Sequence, residues 1–165
     1  AQPTAEDRQD VPTLEVSCNG EVVQKLPLNS SRILIGRADD NDISIPSHYV
    51  SRHHILLIRH RDSTILVDLN STNGTFINAK PIYYEVLEDD DVITVDRHSM
   101  FVEYSIRFIN PLKTTRGRFR DTKAFEAFIK KALAETARLL GKSDTDLLPR
   151  LSENVPTEIG IIDDR

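Results

Sequence analysis

The most informative part of the chain is residues 32–77, which read RILIGRADDNDISIPSHYVSRHHILLIRHRDSTILVDLNSTNGTFI. Short runs of isoleucine, leucine and valine alternate here with polar segments, and none of the runs has the 3.6-residue period of a helix. Aliphatic and β-branched runs of this length, bounded by Gly, Asn and Asp, indicate buried β-strands. The stretch therefore predicts a sheet whose strands are joined by polar loops.

The same texture continues on both sides of this stretch. Asn19-Gly20 separates two apolar runs and predicts a hairpin, because both residues tolerate positive φ. Towards the other end, Tyr104, Ile106 and Phe108 alternate with polar residues, as expected of a strand with one buried face. Nine or more short strands over residues 13–110 predict an all-β sandwich or barrel around a single core.

Three polar segments interrupt the strands in the middle of the chain. They are Gly36-Arg37, Ser51-Arg52-His53-His54 and residues 70–75, which read NSTNGT. In a sandwich such loops gather at one end, where these would present guanidinium, hydroxyl, amide and backbone N–H groups without a carboxylate. That donor set suits a dianionic tetrahedral group such as phosphate.

The order and spacing of these segments resemble the forkhead-associated (FHA) domain family. Arg37 precedes Ser51 by 14 residues, Ser51 precedes His54 by 3, and His54 precedes Asn73 by 19. The resemblance covers about residues 13–110. The chain departs from the family pattern where Asp89-Asp90-Asp91 replaces a Gly-Asp pair and where Asp96 replaces a glycine, so the shape of those turns is open.

The resemblance implies an FHA-type β-sandwich of about eleven strands that binds phosphothreonine without catalysis, cofactor or metal. The implied partners are phosphothreonine-containing proteins, such as a Ser/Thr kinase or its substrate, in kinase-linked signalling. In such a module Arg37 and Ser51 hold the phosphate and Asn73 bonds the peptide backbone. The implied phosphothreonine-binding residues are Arg37, Ser51, Arg52, Thr72 and Asn73, and the loop-structural residues are Gly36, His54 and Gly74.

The rest of the chain divides into four further segments. Residues 1–12 predict a disordered acidic arm, residues 111–120 a basic connector, residues 121–141 an amphipathic α-helix, and residues 142–165 an acidic, mostly disordered tail. Asp121 suits the N-cap of the helix and Gly141 its C-terminal end. The apolar positions of the helix are Phe125, Phe128, Ile129, Ala132, Leu133, Thr136 and Leu140.

Two other functions compete with phosphopeptide binding. The apolar face of helix 121–141 could meet the sandwich, another copy or a neighbouring domain, so one alternative is a phosphate-independent scaffold or oligomerisation unit that self-associates through this helix. The other is a hydrolase with Ser51 as nucleophile and His54 as base. No carboxylate adjoins these two residues in sequence and no Gly-x-Ser-x-Gly elbow occurs, which argues against it.

Composition excludes several other classes of protein. The 165 residues carry a net charge of −5, of which residues 1–12 contribute −2 and residues 143–165 contribute −4. The body at +1 lacks the basic excess of a nucleic-acid binder. The longest aliphatic run, Ile55–Ile58, is too short to span a membrane. Cys18 is the single cysteine, which rules out an internal disulfide. With no secretory leader in view, the expected location is cytoplasmic, or nuclear in a eukaryote.

Overall fold

A computed structural model describes residues 11–97, 100, 102–111, 122–143 and 147. These residues form eleven strands and one helix, α1 (Thr122–Leu140). The strands are β1 (Thr13–Cys18), β2 (Glu21–Pro27), β3 (Arg32–Gly36), β4 (Ile43–Ser44), β5 (Ile55–His60), β6 (Ser63–Asp68), β7 (Thr75–Ile77), β8 (Lys80–Ile82), β9 (Tyr84–Val86), β10 (Val92–Thr94) and β11 (Tyr104–Ile109).

The strands form two sheets, which confirms the predicted eleven-stranded sandwich. One sheet has six strands in the order β2-β1-β11-β10-β7-β8, and the other has five in the order β4-β3-β5-β6-β9. The hairpin predicted at Asn19-Gly20 joins β1 to β2, and both residues have positive φ, 51° and 87°. Such a turn follows the right-handed twist of the strands that it connects.

The main core lies between the two sheets. Ile35, Leu57 and Leu66 of the five-stranded sheet pack with Leu14 and Phe108 of the six-stranded sheet, and each of the five is at most 1% exposed. In β11, buried Ile106 and Phe108 flank exposed Arg107, which is the alternation that the sequence predicted for this strand. The core therefore holds both sheets in register and fixes the positions of the loops at their ends.

Helix α1 packs on the outer face of the five-stranded sheet. Its residues Ile129 and Leu133, at most 1% exposed, contact a cluster that includes Leu56, Ile65 and Val67 on β5 and β6. This second layer explains why residues 55–58 are apolar without alternation, since β5 is buried on both faces. The sequence left three possible contacts for the apolar face of the helix: the sandwich, another copy or a neighbouring domain. In the structure this face packs against the sandwich of its own chain.

The helix ends as its sequence predicts. Gly141 has φ 69°, the Gly141 N–H donates to the Arg138 carbonyl (3.3 Å), and the Lys142 N–H donates to the Ala137 carbonyl (2.9 Å). This pattern is a Schellman motif, in which a left-handed residue closes the last turn. No helix within the described residues combines the length and apolarity that crossing a membrane requires.

The contact between helix and sheet gives a stability prediction. We expect Leu133→Ala to lower the free energy of unfolding by about 2–3 kcal/mol, because it removes buried methyl groups and leaves a cavity. Leu139→Ala is the matched control on the same helix, since Leu139 is 68% exposed, and its effect should stay within about 0.5 kcal/mol. Urea unfolding of both variants measures the difference; equal effects would mean that the helix does not pack on the sheet in solution.

The turn where the family pattern has a Gly-Asp pair keeps a glycine-like conformation. Asp90 has φ 71°, and the Asp91 carboxylate accepts hydrogen bonds from the Glu88 N–H (2.7 Å) and the Asn78 side-chain amide (2.9 Å). Aspartate tolerates this left-handed region better than most residues. The departure from the pattern therefore leaves the turn in place.

Several expectations fall outside the described residues. They concern most of the acidic arm (1–10), most of the basic connector (112–120), the N-cap at Asp121 and the greater part of the tail (144–146 and 148–165). Leu147 is described, and it is buried in the cluster between the helix and the sheet.

Candidate functional site

Three loops meet at one end of the five-stranded sheet. The neighbours β3 and β5 are antiparallel, as are β5 and β6, and the register places Ile35 beside Ile55 and Ile55 beside Asp68. The end of β3, the start of β5 and the end of β6 therefore share one edge of the sheet. The loops that extend from this edge are residues 37–42, 45–54 and 69–74.

The first two loops are held together at Gly36. A Cβ atom on Gly36 would lie 2.2 Å from the Arg52 carbonyl oxygen, so only glycine fits. Beside it, the Arg37 N–H donates to the Ser51 carbonyl (2.9 Å) and the Ala38 N–H donates to the Arg52 carbonyl (3.1 Å). These backbone contacts place Arg37 next to Ser51 although 14 residues separate them in sequence.

The side chain of Arg37 is exposed at this junction and is oriented by the protein. Its Nε donates to the Val50 carbonyl at 3.1 Å. Within the described part of the chain, its two Nη atoms have no hydrogen-bond partner. An arginine held by Nε with both terminal nitrogens free can form a two-pronged contact with an oxyanion.

The third loop joins the others through the hydroxyl of Ser51. The Thr72 N–H donates to Ser51 Oγ at 3.2 Å, so this hydroxyl can still donate its own hydrogen to another acceptor. Thr72 itself is exposed. The structure thus brings Arg37, Ser51 and Thr72 together at one edge of the sheet.

Asn73 also bridges two loops. Its Nδ2 donates to the Tyr49 carbonyl at 2.9 Å, and its Oδ1 has no partner among the described residues. The resemblance assigns this amide to the backbone of a bound peptide. In the structure the donor end of the amide ties loop 69–74 to loop 45–54, and the acceptor end is available.

Arg52 contributes in two different ways. Its carbonyl accepts hydrogen bonds from the Ala38 N–H and from Asn41 Nδ2 (2.7 Å), and Asn41 also donates to the Ala38 carbonyl (2.7 Å). The Arg52 side chain is exposed and has no hydrogen-bond partner within the described regions. Its backbone therefore fixes the first loop while its guanidinium group adds positive charge at the rim.

His54 lies fully buried beneath the three loops. Its Nδ1 accepts a hydrogen bond from the Ser51 N–H (3.0 Å), and its Nε2 donates to the Gly74 carbonyl (2.8 Å). Since Nδ1 is an acceptor, the ring is neutral with its proton on Nε2. Burial lowers the pKa of His54, and the nearby Asp68 and the Gly74 carbonyl only partly offset that effect.

A buried network around Asp68 supports the third loop, and sequence reasoning missed it. Asp68 Oδ1 accepts from Ser71 Oγ (2.5 Å) and Thr75 Oγ1 (2.6 Å), and Asp68 Oδ2 accepts from the Ser71 N–H (3.0 Å). Ser71 Oγ in turn accepts from the Gly74 N–H (3.0 Å). An aspartate at a strand end followed three residues later by serine is the signal that could have indicated this turn.

Three carboxylates near the loops, those of Asp40, Asp42 and Asp68, already have partners within the protein. Asp40 Oδ1 lies 2.9 Å from His53 Nε2, and the Asp42 carboxylate accepts from the Leu34 N–H (2.7 Å). Asp68 is buried and fully occupied by the hydroxyl and amide donors of its own loop. The edge at Arg37, Ser51 and Thr72 is therefore rich in hydrogen-bond donors, which is the property that an anion site requires.

The buried neutral state of His54 predicts a pH dependence of stability. The unfolded chain binds a proton as the pH falls below the ordinary pKa of 6.5, whereas the folded chain resists doing so. Stability should therefore be complete above pH 6.5 and decline below it, by up to roughly 1 kcal/mol between pH 7.5 and 5.5. Urea unfolding across this range measures the loss, and proton NMR of the His54 ring reports its pKa directly.

The control is His48→Asn, which changes an exposed histidine of the same loop and should keep the decline. In His54→Asn the decline should shrink, because the substituted residue does not titrate. A His54 ring that protonates in the folded protein at or above pH 6.5 would contradict the buried, neutral assignment.

The sequence and the fold are similar to those of known proteins. The FHA domain family model matches residues 33–96. The ABC transporter ATP-binding/permease protein Rv1747 of Mycobacterium tuberculosis is 42% identical over 76 residues, which are 46% of this chain and 9% of that protein. The chain spans only 9% to 21% of the length of the mycobacterial relatives that it matches.

Two solved structures share the fold. One comes from a structural and functional analysis of phosphothreonine-dependent FHA domain interactions, with 30% identity, a TM-score of 0.53, and coverage of 60% of this chain and 95% of the other. The second is the FhaA FHA domain complexed with the intracellular domain of Rv3910, with 31% identity, a TM-score of 0.52, and coverage of 59% and 98%. On the matching model, the fold and these similarities, the chain belongs to the FHA domain family.

Proposed function

We propose that the three-loop site binds phosphothreonine in a partner protein and that the chain acts as a non-catalytic recognition module in kinase-linked signalling. The observation that carries the proposal is the side chain of Arg37, which the Val50 carbonyl orients beside Ser51 and whose two Nη atoms have no hydrogen-bond partner among the described residues. A guanidinium group in this state forms charge-assisted bonds with two phosphate oxygens. The related structure from an analysis of phosphothreonine-dependent FHA domain interactions supports the same ligand class.

Each residue of the site has a distinct proposed role. Arg37 and the Ser51 hydroxyl bind the phosphate, and Thr72 contributes at the same edge. Arg52 adds positive charge and contacts either the phosphate or the peptide. Asn73 Oδ1 accepts a hydrogen bond from a backbone N–H of the extended peptide. In this scheme Gly36, His54 and Gly74 act only by holding the loops in place.

The partner is proposed to be a protein that carries phosphothreonine, such as a Ser/Thr kinase or one of its substrates. Asn73 Oδ1 is an acceptor that a backbone N–H of a peptide can use and that free phosphate cannot. The site therefore favours a phosphorylated peptide over free phosphate. The preference of the site for particular residues beside the phosphothreonine would then depend on the loop surface near Tyr49, which is 38% exposed.

Catalysis by Ser51 and His54 does not fit the hydrogen bonds at this site. A general base needs a ring nitrogen within reach of the nucleophile's proton. In His54, Nδ1 is bonded to the Ser51 backbone N–H and Nε2 to the Gly74 carbonyl, so neither nitrogen is free to accept the proton of Ser51 Oγ. The geometry supports a binding role for Ser51.

The alternative of self-association through helix 121–141 lacks support in the packing. The buried residues of α1, such as Ile129 and Leu133, already contact β5 and β6 of the same chain. A partner could reach this face only if the helix left the sheet, at the cost of exposing both apolar surfaces. Phosphopeptide binding is therefore the better supported function.

A titration with matched peptides tests the proposal. The same threonine peptide, with and without phosphate, is added to the chain and followed by calorimetry or NMR. We expect saturable binding of the phosphorylated form, with amide shifts concentrated in residues 36–54 and 69–75, and at least a tenfold weaker response to the unmodified form. Equal affinity for the two peptides would refute the proposal.

A further inference from the structure

A cavity of about 260 Å³ lies where helix α1 crosses the outer face of the five-stranded sheet. It is distant from the three-loop site, because it opens at the other ends of β3 and β5. Arg32 pairs with Ile58 there, three residues from the Ile35–Ile55 pair at the loop edge, or about 10 Å along the strands. The lining residues used below are Arg32, Arg59, Phe128, Lys131, Glu135 and Ile58.

Two arginine nitrogens at this cavity are buried without a hydrogen-bond acceptor among the described residues. They are Arg32 Nη1 and Arg59 Nε. Glu135 Oε2 lies 3.9 Å from Arg32 Nη1, which is an ion-pair distance and too long for a hydrogen bond. In the part of the chain that the structure describes, the one side-chain hydrogen bond of Arg59 runs from its Nη1 to the Leu28 carbonyl at 3.3 Å. Buried donors are nearly always satisfied in folded proteins, so an acceptor that reached these two nitrogens from the cavity would supply the missing hydrogen bonds.

The charges around the cavity favour an acceptor that is an anion. Arg32, Arg59 and Lys131 face a single lining carboxylate, Glu135, which leaves a formal excess of two positive charges. Burial lowers the pKa of the Arg59 guanidinium, and the neighbouring Asp62 only partly offsets this. A cation that is costly to desolvate gains most from a doubly charged anion beside it.

Part of the cavity wall is apolar. Ile58 and Phe128 line it, and the Phe128 ring is already held against His60 with ring centroids 4.7 Å apart. A bare inorganic ion would leave this wall in contact with water. A ligand with both a dianionic head and a small apolar body would contact both the charged and the apolar lining residues.

We propose that the cavity between α1 and the sheet is a second binding site, which takes a phosphomonoester with a small apolar or aromatic body. Arg32, Arg59 and Lys131 bind the phosphate, and Phe128 and Ile58 contact the apolar part. This inference uses none of the residues of the three-loop site, so it stands apart from the proposed function.

The test uses phenyl phosphate as the probe and the full chain carrying Arg37→Ala, which disables the three-loop site. In NMR titrations we expect saturable amide shifts at Arg32, Arg59 and Phe128. Adding Arg59→Gln should weaken binding at least tenfold, and Lys131→Gln, an exposed substitution, should weaken it at least threefold. Arg61→Gln is the matched control, since this arginine is two residues from Arg59 and is absent from the cavity lining.

Three results would overturn the second site. The first is a shift that does not saturate or that persists unchanged in both Arg59→Gln and Lys131→Gln. The second is an equal affinity for inorganic phosphate, which would reduce the cavity to a site for an adventitious ion only. The third is a loss of phosphothreonine-peptide binding in the otherwise unaltered Arg59→Gln chain. Failure of the phosphothreonine peptide to bind the unaltered chain, with phenyl phosphate still saturating the cavity, would refute only the proposed function.

Discussion

Replacing Arg37 by alanine is expected to weaken binding of a phosphothreonine peptide by roughly 30- to 150-fold, equivalent to about 2–3 kcal/mol. The Val50 carbonyl orients this guanidinium group, so little side-chain freedom is lost when the phosphate binds. Two charge-assisted bonds disappear with the side chain. Calorimetric titration of the phosphorylated peptide into both chains measures the change. The free energy of unfolding should stay within about 0.5 kcal/mol, because the side chain is exposed.

Two control variants separate the effect of the guanidinium geometry of Arg37 from the effect of its charge. Arg37→Lys keeps the positive charge but lacks the planar pair of donors, so it should recover only part of the affinity. Arg107→Ala removes an exposed arginine from β11, in the other sheet, and should leave peptide affinity unchanged. If Arg107→Ala reduced affinity as much as Arg37→Ala, net charge rather than a defined site would account for binding.

Gly36→Ala is expected to have the largest effect on stability, a loss of about 3–5 kcal/mol in the free energy of unfolding. The new Cβ would meet the Arg52 carbonyl oxygen at 2.2 Å and its carbon at 2.8 Å, both backbone atoms that cannot rotate away. Relieving the clash separates the two loops and breaks the hydrogen bonds from Arg37 to Ser51 and from Ala38 to Arg52. Overpacking and two lost hydrogen bonds account for the magnitude.

Gly20→Ala provides the matched control for this substitution. A Cβ on Gly20 would meet nothing within 4 Å, but φ is 87°, so the only cost is backbone strain of about 1 kcal/mol. Urea unfolding and the same peptide titration should be run on both variants. Gly36→Ala should lose peptide binding under conditions where it remains folded, whereas Gly20→Ala should keep it. Equal losses of stability would mean that the contact with Arg52 relaxes at little cost.

The two substitutions probe different parts of one site. Arg37 acts through a side chain that contacts the ligand, so its loss should lower affinity and leave the fold intact. Gly36 acts through the absence of a side chain, which lets one loop approach another. Its substitution should therefore lower both the peptide affinity and the stability of the fold. Comparing affinity with stability for each variant therefore distinguishes residues that bind the ligand from residues that position the loops.

Local pattern was sufficient for most of the strands, because their signals are short in range, but it did not indicate the short strands β8 and β9. The Asn19-Gly20 turn, the alternation in β11 and the glycine that ends α1 each depend on residues within a few positions of one another. The grouping of Arg37, Ser51 and Asn73 came from their order and spacing in the sequence. Their placement around one edge of the sheet follows from the antiparallel register of β3, β5 and β6.

Long-range contacts lay beyond the reach of the sequence. Asp68 and Ser71 look like ordinary loop residues until folding buries them together, and only then does their hydrogen-bond network support Gly74. Asn73 was expected to bond a peptide, yet its donor end is used within the protein, by the Tyr49 carbonyl. Such pairings depend on which groups lose contact with water at the same place, and chain spacing does not encode that.

The amino-acid sequence by itself established an all-β chain, a C-terminal amphipathic helix and a set of donor-rich loops, because periodicity and turn chemistry are local properties. Tertiary structure alone decided where the helix packs, since its apolar face suits any apolar surface and the doubly buried β5 and β6 lie nearest to it. For His54, which the family resemblance already assigned to holding the loops, it showed a buried imidazole with both ring nitrogens hydrogen-bonded within the protein. The state of that imidazole depends on Ser51, Gly74 and the loss of surrounding water, which come together only in the folded chain.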